Sequence, residues 1–169
     1  MVVLSDRTIH RMLDSGELSV DPIDRETQVQ PCSIDLTLSG HTIPVSQRGQ
    51  PKVDQEEMTF SPGHSYLGST NEYIDLPENV MGTLWGRSSI GRKMVVVHTA
   101  GLVDPGFHGE LTLEIINFHG SPKTFKEGTR FCQLLLIPLD DTPIESYKTK
   151  ADAKYNGQRG PTTSRLEDV

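Results

Sequence analysis

The sequence lacks the cysteine spacing and the apolar segments that mark several protein classes. Its two cysteines, Cys32 and Cys132, stand far apart in the chain, so neither a disulfide framework nor a cysteine-rich metal site is expected. We predict that both thiols are buried and reduced. No apolar run approaches the length of a membrane span, and no signal-peptide pattern opens the chain. These absences predict a soluble, cytoplasmic protein with no membrane partner.

Positive charge is also scarce. The 169 residues include 16 lysines and arginines against 23 aspartates and glutamates, which gives a formal net charge of −7. A nucleic-acid backbone is bound through many basic side chains, so we expect no nucleic-acid partner. Any anion that this protein binds has to be met by a local group of cations.

Ligand motifs for zinc are missing as well. The six histidines form no His-x-x-x-His or His-x-Glu unit, and Cys32 has no second cysteine in a Cys-x-x-Cys pair. Zinc enzymes that deaminate nucleobases require such ligand sets, so a catalytic zinc is not expected here. Hydrolytic chemistry in this chain would need a water molecule that a carboxylate activates.

Helical periodicity is confined to the N-terminus. Ser5 is a predicted N-cap, Ile9 and Met12 fall on one face, and Gly16 ends the helix. From Ser33 onward the pattern alternates with a period of two, and 15 glycines and 11 prolines separate short apolar runs. Many short strands between turns predict an all-β sandwich, barrel or jelly roll after one short helix. The predicted strand runs are 33–38, 66–67, 73–74, 80–85, 94–97, 111–116 and 131–137.

Two segments interrupt the strand pattern. Residues 46–57 are polar and are predicted to form a surface excursion. In residues 147–169 the apolar periodicity stops and five cations accumulate in this acidic protein. Two interpretations of this tail stay open, a solvated terminus or a basic lid that orders over an anionic ligand. The lid interpretation divides the chain into a β domain, 1–146, and a C-terminal lid, 147–169.

Segment 86–92 concentrates groups that bind phosphate. It holds Arg87 and Arg92 as guanidinium donors, Ser88 and Ser89 as hydroxyl donors, and glycines that let backbone N–H groups turn toward an anion. It is not a Walker A loop, because the Gly-Lys-Ser/Thr ending is absent. The alternative is an ordinary exposed turn with solvated arginines.

Asp104 stands at the end of a strand, before a Pro-Gly pair and the aromatic Phe107. Aspartate before Pro-Gly is common turn chemistry, which makes a structural role the simplest interpretation. A functional interpretation has Asp104 bind a sugar hydroxyl or orient a water molecule, with Phe107 packed on the sugar.

Glu114 lies in the most regular strand pattern of the chain. Leu111 and Leu113 fall on one face, and Glu114 shares the other with Ile116, an apolar residue that indicates an enclosed surface. Desolvation there would raise the pKa of a carboxyl toward the range useful for proton transfer. The alternative is a glutamate that pairs with an arginine to satisfy a buried charge.

Seven blocks of the sequence, specific in combination, are distributed over nearly the whole chain. They are 4–7 (LSDR), 30–36 (QPCSIDL), 68–74 (GSTNEYI), 86–92 (GRSSIGR), 99–107 (TAGLVDPGF), 112–114 (TLE) and 153–161 (AKYNGQRGP). Together they resemble the dCTP deaminase branch of the dUTPase-like family. The resemblance implies a distorted jelly-roll subunit of the dUTPase-like β-barrel type, a homotrimer, and active sites between neighbouring subunits. It also implies zinc-free deamination of dCTP, whose triphosphate carries Mg²⁺.

The same resemblance assigns roles to individual residues. Glu114 would be the general base and acid, and Ser88 would hold the attacking water together with backbone groups near Ala100. Asp104, the third residue of this predicted catalytic set, would face the deoxyribose, and Gln133 would contact the nucleotide. The other implied nucleotide contacts are Arg87, Ser89, Ile90, Gly91, Arg92, Gly101, Phe107, Thr112, Leu113 and, in the tail, Tyr147, Lys154 and Gln158.

Members of this family differ in product. Pure dUTPases carry an apolar residue where Glu114 stands, so the glutamate favours a deaminase. Ala100-Gly101 resembles the Ala-Gly pair of relatives that convert dCTP to dUMP, ammonia and pyrophosphate. A glycine at this place leaves room for close backbone approach and for a second water. The alternatives are a deaminase that releases dUTP, a dUTPase, and a regulatory module that senses nucleotides without chemistry.

Inhibition by dTTP is left open by the sequence. Between Arg92 and Thr99 the chain is one residue shorter than is usual in the family. That segment, 93–98, is tied to feedback inhibition by dTTP in relatives, so dTTP is a possible ligand of this protein.

Overall fold

An N-terminal helix, α1, spans Asp6–Ser15 in the computed structural model, which describes residues 2–45, 55–98 and 100–166. Ser5 is its N-cap, and the helix ends at Gly16, whose φ of 75° is a left-handed conformation that glycine adopts at low cost. Ile9 and Met12 are buried on its inner face. The prediction of this helix is confirmed. Two helices of four residues, α2 (Arg25–Gln28) and α3 (Ser88–Gly91), do not show in the sequence pattern.

Strands make up most of the remaining regular structure, so the all-β prediction with a short N-terminal helix is confirmed. The strands of the described residues are β1 (Ser19–Asp21), β2 (Val29–Gln30), β3 (Ser33–Pro44), β4 (Glu57–Phe60), β5 (Ser65–Asp75), β6 (Val80–Gly86), β7 (Val95–His98), β8 (Leu102–Val103), β9 (His108–Asn117), β10 (Lys123–Lys126) and β11 (Arg130–Pro138).

A nine-stranded sheet holds the molecule together. Its strand order is β7-β9-β5-β3-β11-β6-β8, with β1 paired to β5 and β2 paired to β3. All of these pairs are antiparallel. Strands β4 and β10 form a separate two-stranded sheet. The long strands β9, β5 and β3 are therefore neighbours, and side chains from all three reach the same region of the surface.

Strand β5 joins two apolar runs that the sequence pattern separates. The residues between the runs are polar, which favours a turn in sequence-based reasoning, yet Ser69 and Thr70 are fully buried. The hydroxyl oxygens of Ser39 and Ser69 lie 2.7 Å apart, and Thr70 Oγ1 accepts the Leu111 N–H at 3.0 Å. Because these groups find partners inside the sheet, the strand continues through them.

Strand β3 is enclosed on both faces. The predicted alternation holds, with Ile34 and Leu36 in the apolar core, but Ser33 and Asp35 on the opposite face are buried too. Part of the cover is α2, where Gln28 Nε2 donates to the Asp35 carbonyl at 2.9 Å. The polar face of β3 is thus an internal surface and not a solvated one.

The two cysteines differ in exposure. Cys132 on β11 is buried, whereas Cys32 in the turn between β2 and β3 is exposed. The expectation that both are buried is therefore wrong for Cys32. Burial raises the pKa of the Cys132 thiol well above its ordinary value, and the nearby charges of Glu72 and Asp35 raise it further. Cys132 is consequently an uncharged member of the core.

An aromatic group attaches the small sheet to the large one. Phe60 of β4 and Phe125 of β10 pack with Phe131 of β11, with ring centroids 5.2 to 6.3 Å apart. Aromatic contacts of this kind stabilise beyond the apolar area that they bury. The two-stranded sheet is therefore part of the same core.

Two expectations concern the outside of the molecule. Most of the predicted excursion at 46–57 falls on residues 46–54, which lie outside the described residues, so it stays a prediction. In the part of the chain that the structure describes, no helix has both the length and the apolar surface needed to cross a bilayer.

Candidate active site

A cleft of about 630 Å³ opens where β9, the turn after β8 and the C-terminal segment meet. Seven of the predicted site residues line it, namely Ala100, Asp104, Phe107, Thr112, Glu114, Tyr147 and Gln158. The remaining lining residues are Ile43, Pro44, Val45, Leu67, Leu102, Val103, Leu111, Tyr155, Thr162, Thr163 and Ser164. The cleft therefore combines apolar walls with a small number of polar groups, as small-molecule sites usually do.

Alternation along β9 places Glu114 in this cleft. Buried and half-buried residues alternate along the strand, with Leu113 in the core and Thr112 and Glu114 on the opposite face. The backbone of Glu114 pairs with Leu67 of β5 on one side and with His98 of β7 on the other. The carboxylate of Glu114 is therefore carried by a strand that is fixed on both sides.

Asp104 and Phe107 enter the cleft from a β-turn. The Phe107 N–H donates to the Asp104 carbonyl at 3.0 Å, and Gly106 has a φ of 78°, which a type II turn requires at its third position. The predicted turn is confirmed, and the Asp104 and Phe107 side chains also line the cleft. The backbone of Asp104 can thus stabilise the turn while its side chain faces the cleft, so the two interpretations of this residue are compatible.

Ala100 and Gly101, which lie between β7 and β8, have different surroundings. Ala100 is exposed and lines the cleft. A Cβ on Gly101 would lie 3.0 Å from the Leu84 carbonyl oxygen, and the Leu84 N–H donates to the Gly101 carbonyl at 2.7 Å. The backbone of β6 therefore lies close against this glycine, and the room for a second water stays a prediction.

The C-terminal segment forms one wall of the cleft. The Tyr147 ring lies 6.0 Å from the Phe107 ring, and Gln158 forms a parallel bridge with Gly109 of β9. Gln158 Nε2 donates to the Glu110 carbonyl at 2.7 Å, whereas Gln158 Oε1 is buried and has no hydrogen-bond partner in the described residues. A buried acceptor without a partner costs free energy, so Gln158 Oε1 is a candidate to accept a hydrogen bond from a ligand.

The predicted phosphate-binding segment lies outside this cleft. After β6 it forms α3, in which Ser88 and Ser89 are exposed and Ile90 is buried in the core. Arg92 follows the helix and is exposed. In one chain, therefore, the hydroxyls and Arg92 do not share a pocket with Glu114.

A buried carboxylate lies beneath that segment. Asp35 has no exposed surface, and its Oδ2 is 3.2 Å from Arg87 Nε and 3.3 Å from Arg130 Nη1. Gln133 Nε2 donates to Asp35 Oδ1 at 3.3 Å. A buried carboxylate requires such paired cations and donors. Arg87 and Gln133 are thus partners of Asp35, and neither lines the cleft of its own chain.

Three further implied nucleotide contacts also lie away from the cleft. Leu113 has no exposed surface, because it points to the core side of β9. Gly91 is exposed in α3, and Lys154 is exposed on the C-terminal segment. The structure of one chain brings seven of the implied residues together and separates the others, whose roles stay predictions.

Sequence reasoning missed several residues at the cleft. The hydroxyl residues Thr162, Thr163 and Ser164 form a run that could have been recognised in the tail. Tyr155 precedes them in the same segment. The apolar walls from β3, β5 and β8 carry no local signal, because strands far apart in the sequence come together only in the folded sheet.

A second buried carboxylate supports β3. Glu72 of β5 accepts the Thr37 N–H at 3.0 and 3.1 Å, the Thr37 hydroxyl at 2.7 Å and Gln28 Nε2 at 2.7 Å. Burial raises the pKa of Glu72 above its ordinary value, and these hydrogen bonds oppose the rise. Glu72 therefore has a structural role, in which the charged form carries a desolvation cost.

The cleft offers acid–base chemistry. Glu114 and Asp104 both line it, and a positioned carboxylate can take a proton from water and return it to a reacting group. Among residues 2–45, 55–98 and 100–166, no group of three or more histidine, cysteine, aspartate or glutamate side chains is arranged to hold a metal ion.

Comparison with curated proteins identifies relatives of nearly equal length. A dCTP deaminase of Natronomonas pharaonis is 38% identical over 98% of this chain and 95% of its own length. A protein of Mycobacterium tuberculosis named dCTP deaminase, dUMP-forming, is 40% identical over 97% of this chain and 95% of its own length.

Solved structures show the same fold. The 2′-deoxycytidine 5′-triphosphate deaminase of Agrobacterium tumefaciens matches with a TM-score of 0.67 and 24% identity, over 79% of this chain and 47% of that chain. The dUTPase of EIAV matches with a TM-score of 0.54 and 18% identity, over 76% of this chain and 93% of that chain. The expected dUTPase-like β fold is confirmed.

The family model described as dCTP deaminase-like matches residues 3–139, which is most of the chain. The near-complete coverage of the curated relatives agrees with this match. This chain therefore belongs to the dCTP deaminase-like family.

Proposed function

We propose that this protein converts the magnesium complex of dCTP to dUMP, ammonia and pyrophosphate in the cytoplasm, and thereby supplies dUMP for thymidylate synthesis. The observation that carries the proposal is the position of Glu114 and Asp104 on one cleft of about 630 Å³. The name of the relative from Mycobacterium tuberculosis, dCTP deaminase, dUMP-forming, supports the choice of product. In this proposal the metal arrives with the triphosphate, and no zinc takes part.

Glu114 acts as general base and general acid in the deamination. Its carboxylate takes a proton from water while the water oxygen bonds to C4 of the cytosine ring, and this proton passes to ring nitrogen N3. The carboxylate then takes the remaining hydroxyl proton and gives it to the amino group as the C4–N bond breaks. Ammonia leaves and a C4 carbonyl remains. A positioned acid–base group of this kind contributes about 10² to 10⁴ in rate.

The second hydrolysis takes place at the α-phosphorus. A water oxygen bonds to this phosphorus and its proton passes to solvent, while the bond to the oxygen that bridges to the β-phosphate breaks and pyrophosphate leaves. Asp104, fixed by its turn, contacts the deoxyribose or orients this water, and the Phe107 ring packs on the sugar. The Gln158 Oε1 acceptor is available to a donor of the bound nucleotide.

The triphosphate needs cations, and none of the described residues that line the cleft is a lysine or arginine. Arg87 and Arg92 stand with Ser88 and Ser89 at α3, where three of the four are exposed. We assign this group to the nucleotide bound by a neighbouring subunit of a homotrimer, the arrangement that the family resemblance implies. Ser88 then reaches the attacking water from the neighbouring chain.

A product-resolved assay with dCTP and Mg²⁺ tests the proposal. We expect dUMP, pyrophosphate and ammonia, without accumulation of dUTP. Accumulating dUTP would remove the second step and leave a deaminase that releases dUTP. Hydrolysis of dUTP without ammonia from dCTP would identify a dUTPase, and saturable binding without any product would identify a sensor.

The same assay extends to dTTP. Strand β7 lies in the segment that is shorter than in relatives, and it pairs with β9 next to Glu114. Turnover measured at rising dTTP concentration, with dCTP held constant, reports whether dTTP inhibits the enzyme or leaves turnover unaffected.

A further inference from the structure

We infer that Glu110 is a positioning residue that holds the C-terminal segment against β9 and thereby keeps Gln158 at the cleft. Glu110 stands on the same face of β9 as Thr112 and Glu114. The family resemblance gives it no role. The link from this contact to turnover rests on the proposed function, whereas the contact itself does not.

Both carboxylate oxygens of Glu110 contact the C-terminal segment. Oε1 lies 3.1 Å from Arg159 Nη1, and Oε2 accepts the Gly160 N–H at 2.5 Å. The Glu110 side chain is only 16% exposed, and Gly160 is buried. A hydrogen bond from a backbone N–H to a carboxylate is about twice as strong as a neutral one. The carboxylate is therefore a charged anchor for this part of the segment.

The backbone of Glu110 fixes the register of the segment. The Glu110 N–H donates to the Gln158 carbonyl at 3.1 Å, and the Gln158 side-chain amide returns a hydrogen bond to the Glu110 carbonyl. Further along, the Thr162 N–H donates to Thr112 Oγ1 at 3.1 Å. The segment thus runs beside β9 in the direction of Glu114, and Thr163 and Ser164 follow at the cleft.

Tyr73 completes the binding position of Arg159. It is the cross-strand partner of Glu110 on β5, and the Arg159 guanidinium lies 4.1 Å from the centre of its ring. The Arg159 side chain is 68% exposed, so its ion pair with Glu110 contributes little by itself. The cation–π contact and the buried Gly160 hydrogen bond add to it.

Removal of the Glu110 carboxylate should weaken the attachment of the C-terminal segment and leave the proton transfers at Glu114 unchanged. The buried Gly160 N–H would lose its carboxylate acceptor and Arg159 would lose its ion pair with Glu110, while Glu114 and its strand pairing would remain. A segment that detaches more easily holds the nucleotide less well but does not alter the proton transfers at Glu114. The expected signature is a raised KM for dCTP with an almost unchanged kcat.

The test compares Glu110→Ala and Glu110→Gln with Glu57→Ala, which removes an exposed strand carboxylate on β4. For Glu110→Ala we expect faster amide hydrogen exchange at Gly160 and Thr162, and a KM raised about tenfold with kcat within about twofold. Glu110→Gln keeps an acceptor for the Gly160 N–H and should recover much of both losses. Glu57→Ala should behave as the wild type.

Arg159→Gln gives a second variant at a mostly exposed side chain, where folding is not at risk. It should speed exchange at the same amides by a smaller factor. Unchanged exchange at Gly160 and Thr162 in Glu110→Ala, or an unchanged KM beside a reduced kcat, would overturn the inference. A wild type that does not turn over dCTP would remove the proposed function, and the exchange rates alone would then decide the role of Glu110.

Discussion

Asp35 and Arg87 form an ion pair, 3.2 Å from Oδ2 to Nε, in which the carboxylate has no exposed surface. One arginine of the predicted phosphate-binding segment is therefore also the partner of an internal charge. Arg92, at the other end of the segment, is exposed. Arg87 therefore balances a buried charge of the fold, whereas Arg92 lies at the surface.

Substitution of the two arginines should therefore differ in its effect on stability. Arg92→Ala should weaken dCTP binding and turnover and change the free energy of unfolding by less than about 0.5 kcal/mol. Arg87→Ala should in addition lower stability by about 2 kcal/mol, because it removes one of the two cations that the described residues place beside the buried Asp35. Urea unfolding and kcat/KM, measured on both variants, check this. Equal stability losses would contradict it.

Glu114→Gln should abolish deamination and preserve binding. The amide keeps the shape of the side chain but cannot accept the proton of the attacking water, so kcat should fall about a thousandfold. Calorimetric titration with dCTP should give a dissociation constant close to that of the wild type. Glu57→Gln on β4 serves as the control. A variant that releases ammonia at the wild-type rate would exclude Glu114 as the base.

Removal of residues 147–169 should leave a folded β domain that binds triphosphate poorly. The segment supplies Tyr147, Gln158 and the hydroxyl run to the cleft, whereas the sheet pairs form without it. Circular dichroism and dCTP affinity of the truncated chain are the measurements. An unfolded product would mean that the segment is structural, since Tyr147 also packs near Phe107.

Trp85→Glu should disrupt association of subunits. Trp85 is 61% exposed at the end of β6, and Leu102 on the edge strand β8 is 60% exposed. Large apolar side chains at a sheet edge are typical of interfaces between subunits. Light scattering after size-exclusion chromatography should show a trimer for the wild type and smaller species for the variant. An intact trimer would place the interface elsewhere.

Glu72 should make stability depend on pH. Burial raises its pKa, so the folded protein binds this proton more tightly than the unfolded chain does. Its stabilising contribution is therefore full below the unfolded pKa and is lost as the pH rises through the folded pKa. Relative to Glu72→Gln, the wild type should lose stability as the pH rises above the ordinary glutamate pKa, measured by urea unfolding. A difference that is constant with pH would show an unshifted carboxyl.

Local patterns predicted the elements whose signals lie within a few residues of one another. The α1 boundaries follow from Ser5 and Gly16. The placement of Glu114 on the face of β9 opposite the core follows from the alternation around it. The turn at Asp104 follows from its Pro-Gly pair. In each case the physical cause is local, so the sequence carries it directly.

Other features depend on partners that are distant in the sequence. The burial of Asp35 requires Arg87 and Arg130, and the interior course of β5 requires the hydroxyl of Ser39 beside that of Ser69. No alternation within β3 or β5 reveals those partners. The basic composition of the tail left a solvated terminus and a lid open, and it gave no sign of the contacts with Glu110 and Thr112 that set the register of the tail on β9.

Strand β9 holds the C-terminal segment at positions 110 and 112 and presents Glu114, the proposed acid–base residue, to the cleft. The segment is therefore not an interchangeable module. In a chimera that borrows the tail of a relative, the side chains at 110 and 112 would have to be exchanged together with it. The smallest unit that can be swapped between relatives therefore includes part of the strand that carries Glu114.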